Sequence, residues 1–146
     1  MMTNKWFLAI RKGDVQFLTD AIHQSDVINE TNNRGDSALL LAVKTNQLHI
    51  VELLLENGAD VNAANQYQDT PLSVAVANRK VEMIRMLIEA GADVNFVDPT
   101  SKQNLVEWCI ETNYLDVIEV FLEYMKSFTE ENQALLKKVR LQTLFV

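Results

Sequence analysis

The sequence predicts an all-α solenoid of about four helix–turn–helix repeats with a C-terminal capping helix. The main observation is an internal repeat, since LLLENGADVN at 53–62 recurs as MLIEAGADVN at 86–95, 33 residues further on. A repeat of that length is typical of stacked small units. The second is composition, because 48% hydrophobic residues with only four glycines and two prolines indicate a folded chain. At 146 residues the chain is predicted to be a single domain, 1–146.

The first two predicted units cover residues 1–31 and 32–64. The second unit starts its first helix at 37–39, SAL, and its second helix carries an apolar stripe at helical spacing. The first unit is degenerate but in register, since Ala9 lies 33 residues before Ala42. Its first helix is therefore expected close to the start of the chain.

The third unit, 65–97, is the clearest. Its polar opening predicts a turn, Thr70 is suited to cap the helix, and Pro71 fits the first helical position, where its missing N–H costs nothing. This helix is expected to end near Asn78. A one-sided apolar stripe predicts the second helix, and Gly91 terminates it.

A fourth unit, 98–126, has one extra residue before its first helix, which begins at 104–106. Its second helix is predicted over 114–122. The capping helix is predicted over 129–146, because Thr129-Glu130-Glu131 places acids at the positive end of the helix dipole. Four apolar residues at helical spacing are expected to cover the last unit: Leu135, Leu136, Val139 and Leu144.

Charge and cysteine content exclude several classes of protein. With 13 basic and 20 acidic residues, the net charge is −7, which argues against nucleic-acid binding. The longest apolar run, 38–43, is too short to span a membrane. One cysteine excludes an internal disulfide and suits a reducing compartment, so the expected location is cytoplasmic. Secretion by a route without a signal peptide would leave no trace in the sequence.

Catalytic and metal-binding patterns are not found in the sequence. His23 and His49 lie on different units, with no Cys or His at metal-ligand spacing. Cys109 occupies the slot of Ala42 and Ala75, where a small side chain fits between adjacent first helices. We therefore predict no cofactor, no metal and no enzymatic activity.

These units resemble the ankyrin repeat family over roughly residues 4–124. The matching segments are GDSAL at 35–39, DTPL at 69–72, HIVELLL at 49–55 and the two GADVN segments. The resemblance implies an ankyrin-type solenoid, a curved stack whose units are joined by hairpin-like loops. It also implies a partner surface on the concave side, made of loop tips and the exposed faces of the first helices.

One departure from the family concerns the glycine between paired helices. It is kept as Gly13, but is replaced by Asn46, Arg79 and Asn113. Asparagine tolerates left-handed backbone, whereas arginine does so less readily. We expect local strain at Arg79 without a change of fold.

The resemblance places seven residues on the expected partner surface. Tyr67 lies at a loop tip, either as a binding anchor or as a ring packed on the next loop. The first-helix ends change from basic to acidic along the stack, which is either a graded binding face or ordinary solvated surface. The seven candidates are Arg34, Asp36, Lys44, Tyr67, Asp69, Asn78 and Glu111.

The predicted function is therefore a non-catalytic protein–protein interaction module or adaptor that binds an unidentified protein partner. It is expected to be a monomer. One alternative is a self-assembling structural protein, since the apolar end at 141–146 offers a homodimer contact through the C-terminal helix. Another is an effector delivered into a host cell.

Overall fold

The computed structural model describes residues 2–144, with side chains from 4 to 142, and confirms the predicted all-α solenoid. A 3₁₀ turn at Met125–Ser127, which the sequence pattern did not predict, leads into the last helix. The α-helices of the described chain are α1 (Met2–Lys12), α2 (Val15–Gln24), α3 (Ala38–Lys44), α4 (Leu48–Glu56), α5 (Pro71–Ala77), α6 (Val81–Glu89), α7 (Leu105–Glu111), α8 (Leu115–Glu123) and α9 (Glu130–Leu144).

The helices form two layers, because each unit folds as an antiparallel pair that packs on the next pair. The pairs are α1 with α2, α3 with α4, α5 with α6, and α7 with α8. Within the first layer α3 packs between α1 and α5, and within the second layer α6 packs between α4 and α8. One continuous core runs between the layers and includes Ile10, Leu39, Ile84 and Phe121, each almost fully buried.

Side-chain caps fix the starts of the first helices. Ser37 Oγ accepts a hydrogen bond from Leu40 N at 3.1 Å. Thr70 and Ser73 form a reciprocal capping box, with Pro71 as the first residue of the helix. These bonds satisfy N–H groups that a helix leaves without intrahelical partners.

Left-handed backbone lies between the paired helices, as predicted. The φ angles of Asn46, Arg79 and Asn113 are 57°, 55° and 59°. Arg79 also forms a surface ion pair with Asp116, with its Nη2 nitrogen 2.9 Å from Asp116 Oδ1. Its guanidinium lies 4.8 Å from the ring centroid of Tyr114. Both contacts help to offset the cost of this conformation for a residue with a Cβ.

Small residues occupy the slot between adjacent first helices. Ala42, Ala75 and Cys109 are all fully buried. Burial raises the pKa of the Cys109 thiol to about 12, so it stays protonated at neutral pH. This agrees with its prediction as a small buried hydrophobe.

An asparagine at the end of each of the first three units is hydrogen-bonded to the segment that ends the following unit. Asn29 Oδ1 accepts from Asp60 N at 2.9 Å, and Asn62 Oδ1 accepts from Asp93 N at 2.8 Å. Asn95 Oδ1 accepts from Thr129 N at 3.1 Å. Thr129, just before α9, thus takes the place at the end of the fourth unit that Asp60 and Asp93 hold at the ends of the second and third units.

Helix α9 covers the outer side of the fourth unit and packs on both α7 and α8. Leu136 is fully buried, while Leu135 and Val139 are half-buried against the core. Leu141 is 57% exposed. Residues 145 and 146 and the side chain of Leu144 lie outside the described part of the chain. Most of the predicted dimer contact at 141–146 is therefore not described.

Candidate partner-binding face

Three loops and the first helices share one surface, which we call the first-helix face. The loops cover residues 32–37, 65–70 and 98–104, and each leads directly into a first helix. Side chains from the second and third loops line one groove together with side chains from α5 and α7. The loops and first helices therefore form a continuous surface on this side of the stack.

Each loop is shaped by an Asx residue at its start. Asn32 Oδ1 accepts from Arg34 N and Asp36 N, and Asn65 Oδ1 accepts from Tyr67 N and Asp69 N, at 2.9–3.0 Å. In the third loop Asp98 Oδ1 takes this role, accepting from Thr100 N and Ser101 N at 2.9 and 2.7 Å. Such side-chain turns fix the loop tips before any partner arrives.

The Asp98 carboxyl is held in its charged form by these bonds. The Ser101 amide, helped by the Thr100 amide, lowers the pKa of Asp98 although partial desolvation opposes the change. The neighbouring Lys102 acts in the same direction. Asp98 is therefore a carboxylate at neutral pH.

Asp36 lies at the centre of a buried polar network that joins the first two loops. Its Oδ1 accepts from Asn65 Nδ2 at 2.8 Å and from Lys44 Nζ at 3.0 Å. Asn65 Nδ2 also reaches Asp69 Oδ2 at 3.2 Å, and Lys44 Nζ lies 4.0 Å from the same oxygen. Burial opposes ionisation of Asp36, but the hydrogen bonds from Asn65 and Lys44 and the Lys44 charge bring its pKa below the usual value.

The backbones of these two loops are also in direct contact. Gln66 N donates to Arg34 O, and Gln66 Nε2 donates to Asn33 O, both at 3.2 Å. Gly35 has a φ of 78°, and a Cβ at this position would lie 3.1 Å from Gln66 N. A glycine therefore allows both the left-handed turn and the close approach of the second loop.

Between the second and third loops the surface opens into a groove of about 530 Å³. Its apolar wall includes Val74, Phe96, Leu105 and Trp108. Its polar residues include Asp69, Asp98, Thr100 and Ser101. A groove of this size that combines an apolar wall with polar groups is typical of a site that receives a ligand group.

Trp108 lines this groove and also packs against the core. Its ring is half-buried and meets Tyr114 edge to face, with 5.1 Å between ring centroids and 84° between ring planes. Trp6, in α1, is fully buried.

The seven predicted site residues differ widely in exposure. Tyr67 is 68% exposed at its loop tip, and Arg34 and Glu111 are also exposed. Asn78 is exposed, but its Nδ2 donates to Val74 O within its own unit. Asp36 is only 2% exposed, so it shapes the first-helix face from beneath and offers little surface to a partner.

The structure brings Asp36, Lys44 and Asp69 together in the network around Asn65. Asn65, Phe96 and Trp108 were not predicted as site residues. The 33-residue spacing of Asn32, Asn65 and Asp98 is the signal that could have identified the loop-forming residues. The groove itself depends on the packing of two units and has no local sequence signature.

The described residues were also compared with two requirements, those of a membrane-spanning helix and of a metal-binding cluster. No helix in the described part of the chain is long and apolar enough to cross a membrane. Among the same residues, no three His, Cys, Asp or Glu side chains come together as a set that could hold a metal ion.

Comparison with known proteins identifies the repeats. A family model described as ankyrin repeats (3 copies) matches residues 6–98. Ankyrin repeat family A protein 2 from Mus musculus and from Homo sapiens is 41% identical over 49 residues, which are 34% of this chain and 16% of that protein. Potassium channel AKT1 from Oryza sativa subsp. indica is 38% identical over 53 residues, 36% of this chain and 6% of the channel. The chain thus matches only a small part of each relative's length.

Proposed function

We propose that this chain, which belongs to the ankyrin repeat family, is a non-catalytic adaptor that binds a protein partner through its first-helix face. Ankyrin repeats are in general protein–protein interaction modules. The choice of face and the absence of catalysis are our proposal for this chain.

The observation that carries the proposal is the exposure of Tyr67. Its ring is 68% exposed, although the backbone that holds it is fixed by hydrogen bonds to Asn65. A tyrosine offers a large amphipathic contact area at a small entropic cost, especially on a preorganised loop. Of the two roles considered for this ring, its exposure favours the binding anchor.

The charge of the first-helix ends supports an oriented partner. Arg11, Lys12 and Lys44 end the first helices of units one and two, whereas Glu111 ends that of unit four. A partner with the opposite order of charges would be favoured in one direction along the face. The overall charge of −7 adds a general preference for basic partners.

The test begins with a pull-down from native cell extract and mass spectrometry. Once a partner is known, we expect Tyr67→Ala to weaken it by about 1–2 kcal/mol in isothermal titration calorimetry, with a nearly unchanged melting temperature. Glu52→Ala, on the exposed side of α4, is the matched control and should bind as the wild type does. Equal affinity for Tyr67→Ala, or a loss with Glu52→Ala, would place the site elsewhere.

The alternatives give different results in simple measurements. A self-assembling structural role predicts a dimer or larger species in light scattering, whereas the adaptor is expected to be a monomer. An effector delivered into a host cell would differ only in its partner and location. The cytoplasmic location and the exclusion of nucleic acid stay predictions, the latter to be checked by gel shift at physiological salt.

A further inference from the structure

We call the region where the loops of two successive units meet a junction. The junction between units two and three indicates which chemical group could bind in the groove at the junction between units three and four. In the repeat register, Asp36 corresponds to Asp69, Asn65 to Asp98, and Lys44 to Ala77, each 33 residues further on. At the first of these junctions, the Asn65 amide and the Lys44 ammonium both donate to the Asp36 carboxylate. At the next junction the donors are replaced by a second carboxylate and a methyl group.

The groove lies at the junction that lacks counterparts of the Asn65 amide and the Lys44 ammonium. Asp69, Asp98 and Ala77 all line it. In the part of the chain that the structure describes, no hydrogen bond joins the 65–70 loop to the 98–104 loop. Two carboxylates cannot donate to each other, so this junction has acceptors on both sides and space between them.

We propose that this groove binds an arginine side chain of the protein partner, whose guanidinium takes the place that Lys44 and Asn65 fill at the preceding junction. The inference rests on the proposed function, since it names the chemistry that the first-helix face recognises. The planar guanidinium presents five N–H donors and can serve two carboxylates at once, which a single ammonium does less well.

The walls of the groove fit the rest of an arginine side chain. Phe96 and the half-buried Trp108 offer aromatic surface on which a guanidinium or its methylene stem can pack. Val74 and Leu105 extend this apolar wall. The chain already contains one such contact nearby, because the Arg79 guanidinium lies over the ring of Tyr114, which itself meets Trp108.

Asp98 keeps acceptor capacity for the partner. Both loop amides donate to its Oδ1, while an ionised carboxylate has about four lone-pair sites. Lys102 acts on Asp98 and Lys44 lies 4.0 Å from Asp69, while the Arg79 guanidinium is paired with Asp116. Helix α7, which supplies Leu105 and Trp108 to the groove, also carries Glu107 and Glu111 and no basic residue.

The test uses random linear peptides displayed on phage, selected on the full chain. We expect the selected peptides to share an arginine. Replacing it with citrulline, which keeps the shape but removes the charge, should weaken a synthetic peptide about tenfold. Replacing it with lysine should give an intermediate affinity, and equal binding by the lysine peptide would overturn the assignment to arginine.

Variants of the chain locate the site. Asp98→Asn keeps the acceptor for the loop amides but removes the charge, and it should weaken the arginine peptide about tenfold. The double variant Ala77→Lys/Asp98→Asn rebuilds the donors of the preceding junction and should fill the groove, so we expect it to lose peptide binding while keeping the wild-type melting temperature or exceeding it. Asp26→Asn, an exposed carboxylate outside the groove, is the charge-matched control and should bind normally.

The outcomes separate this inference from the proposed function. Selected peptides without a shared arginine, or unaffected by Asp98→Asn, would overturn the arginine site. If such peptides are still weakened by Tyr67→Ala, the first-helix face remains the binding surface. Peptides insensitive to both changes, or a selection that yields no binder, would overturn both proposals.

Discussion

Two neighbouring junctions of the stack differ in how their loops meet: the 32–37 and 65–70 loops are hydrogen-bonded to each other, whereas the 65–70 and 98–104 loops stand apart around a groove. The closed junction has a donor for each acceptor, with Asn65 and Lys44 on Asp36. The open junction places Asp69 and Asp98 at the corresponding positions. The loss of two donors, together with one extra residue in the 98–104 loop, thus accompanies the change from a closed joint to a groove, while α7 and α8 keep the pairing seen within the other units.

The largest expected effect on stability comes from removing the capping helix α9, which packs on the fourth unit beside the open junction. Deleting residues 129–146 should lower the free energy of unfolding by about 3–5 kcal/mol, since fully burying a large apolar side chain such as Leu136 is worth about 1.5–3 kcal/mol and two more are half-buried. Native-state hydrogen exchange should show α7 and α8 losing protection before α3 and α4.

Lys137→Ala, on the exposed side of α9, is the control and should stay within about 0.5 kcal/mol of the wild type. A truncated chain that keeps both its monomeric state and its unfolding midpoint would show that α9 is not a cap.

The next effect compares the two junctions directly. Asp36→Ala should cost about 2–3 kcal/mol in urea unfolding, because it leaves the Asn65 amide buried without its main acceptor. Asp69→Ala, the same change at the corresponding position of the open junction, should cost about 1 kcal/mol or less, since Asp69 is half-buried and less tightly bonded. Equal losses in the two variants would contradict the distinction between closed and open junctions.

The smallest effect is the acid sensitivity of the closed junction. The pKa of Asp36 is lowered in the folded chain, so its ionised form contributes stability above the unfolded value, and this contribution is lost as pH falls through the folded value. The stability difference between wild type and Asp36→Asn should therefore be steady near pH 6 and shrink as pH falls from about 4 to about 2 in urea titrations. A constant difference over that range would mean that the charge of Asp36 does not stabilise the junction.

Much of the scaffold could be predicted from the sequence because its signals are local. Thr70 before Pro71 predicts a helix start, and the structure confirms it with a capping box. The repeat register correctly predicted left-handed backbone at Asn46, Arg79 and Asn113. The same reasoning covered α9, whose bounds, Glu130–Leu144, begin one residue after the predicted start.

The candidate site was harder to predict because it depends on side chains of different units. Asp36 appeared to be a surface residue in its own loop, but the following loop buries it. Trp108 packs against the core and also lines the groove, and the second contact depends on where the loop of the preceding unit lies. To predict such a site, the pair of residues that meet at one junction has to be compared with the corresponding pair at the next junction. Inspecting each repeat separately does not reveal the difference.

The asparagine ladder also has a consequence for how the chain folds. Each rung joins residues only 31 to 34 positions apart, so a unit can close on its neighbour without first bringing distant parts of the chain together. Low contact order of this kind favours rapid folding. We expect the nucleus to form in the central units, whose loops are hydrogen-bonded to each other, and to spread outward through nearest neighbours until α9 docks.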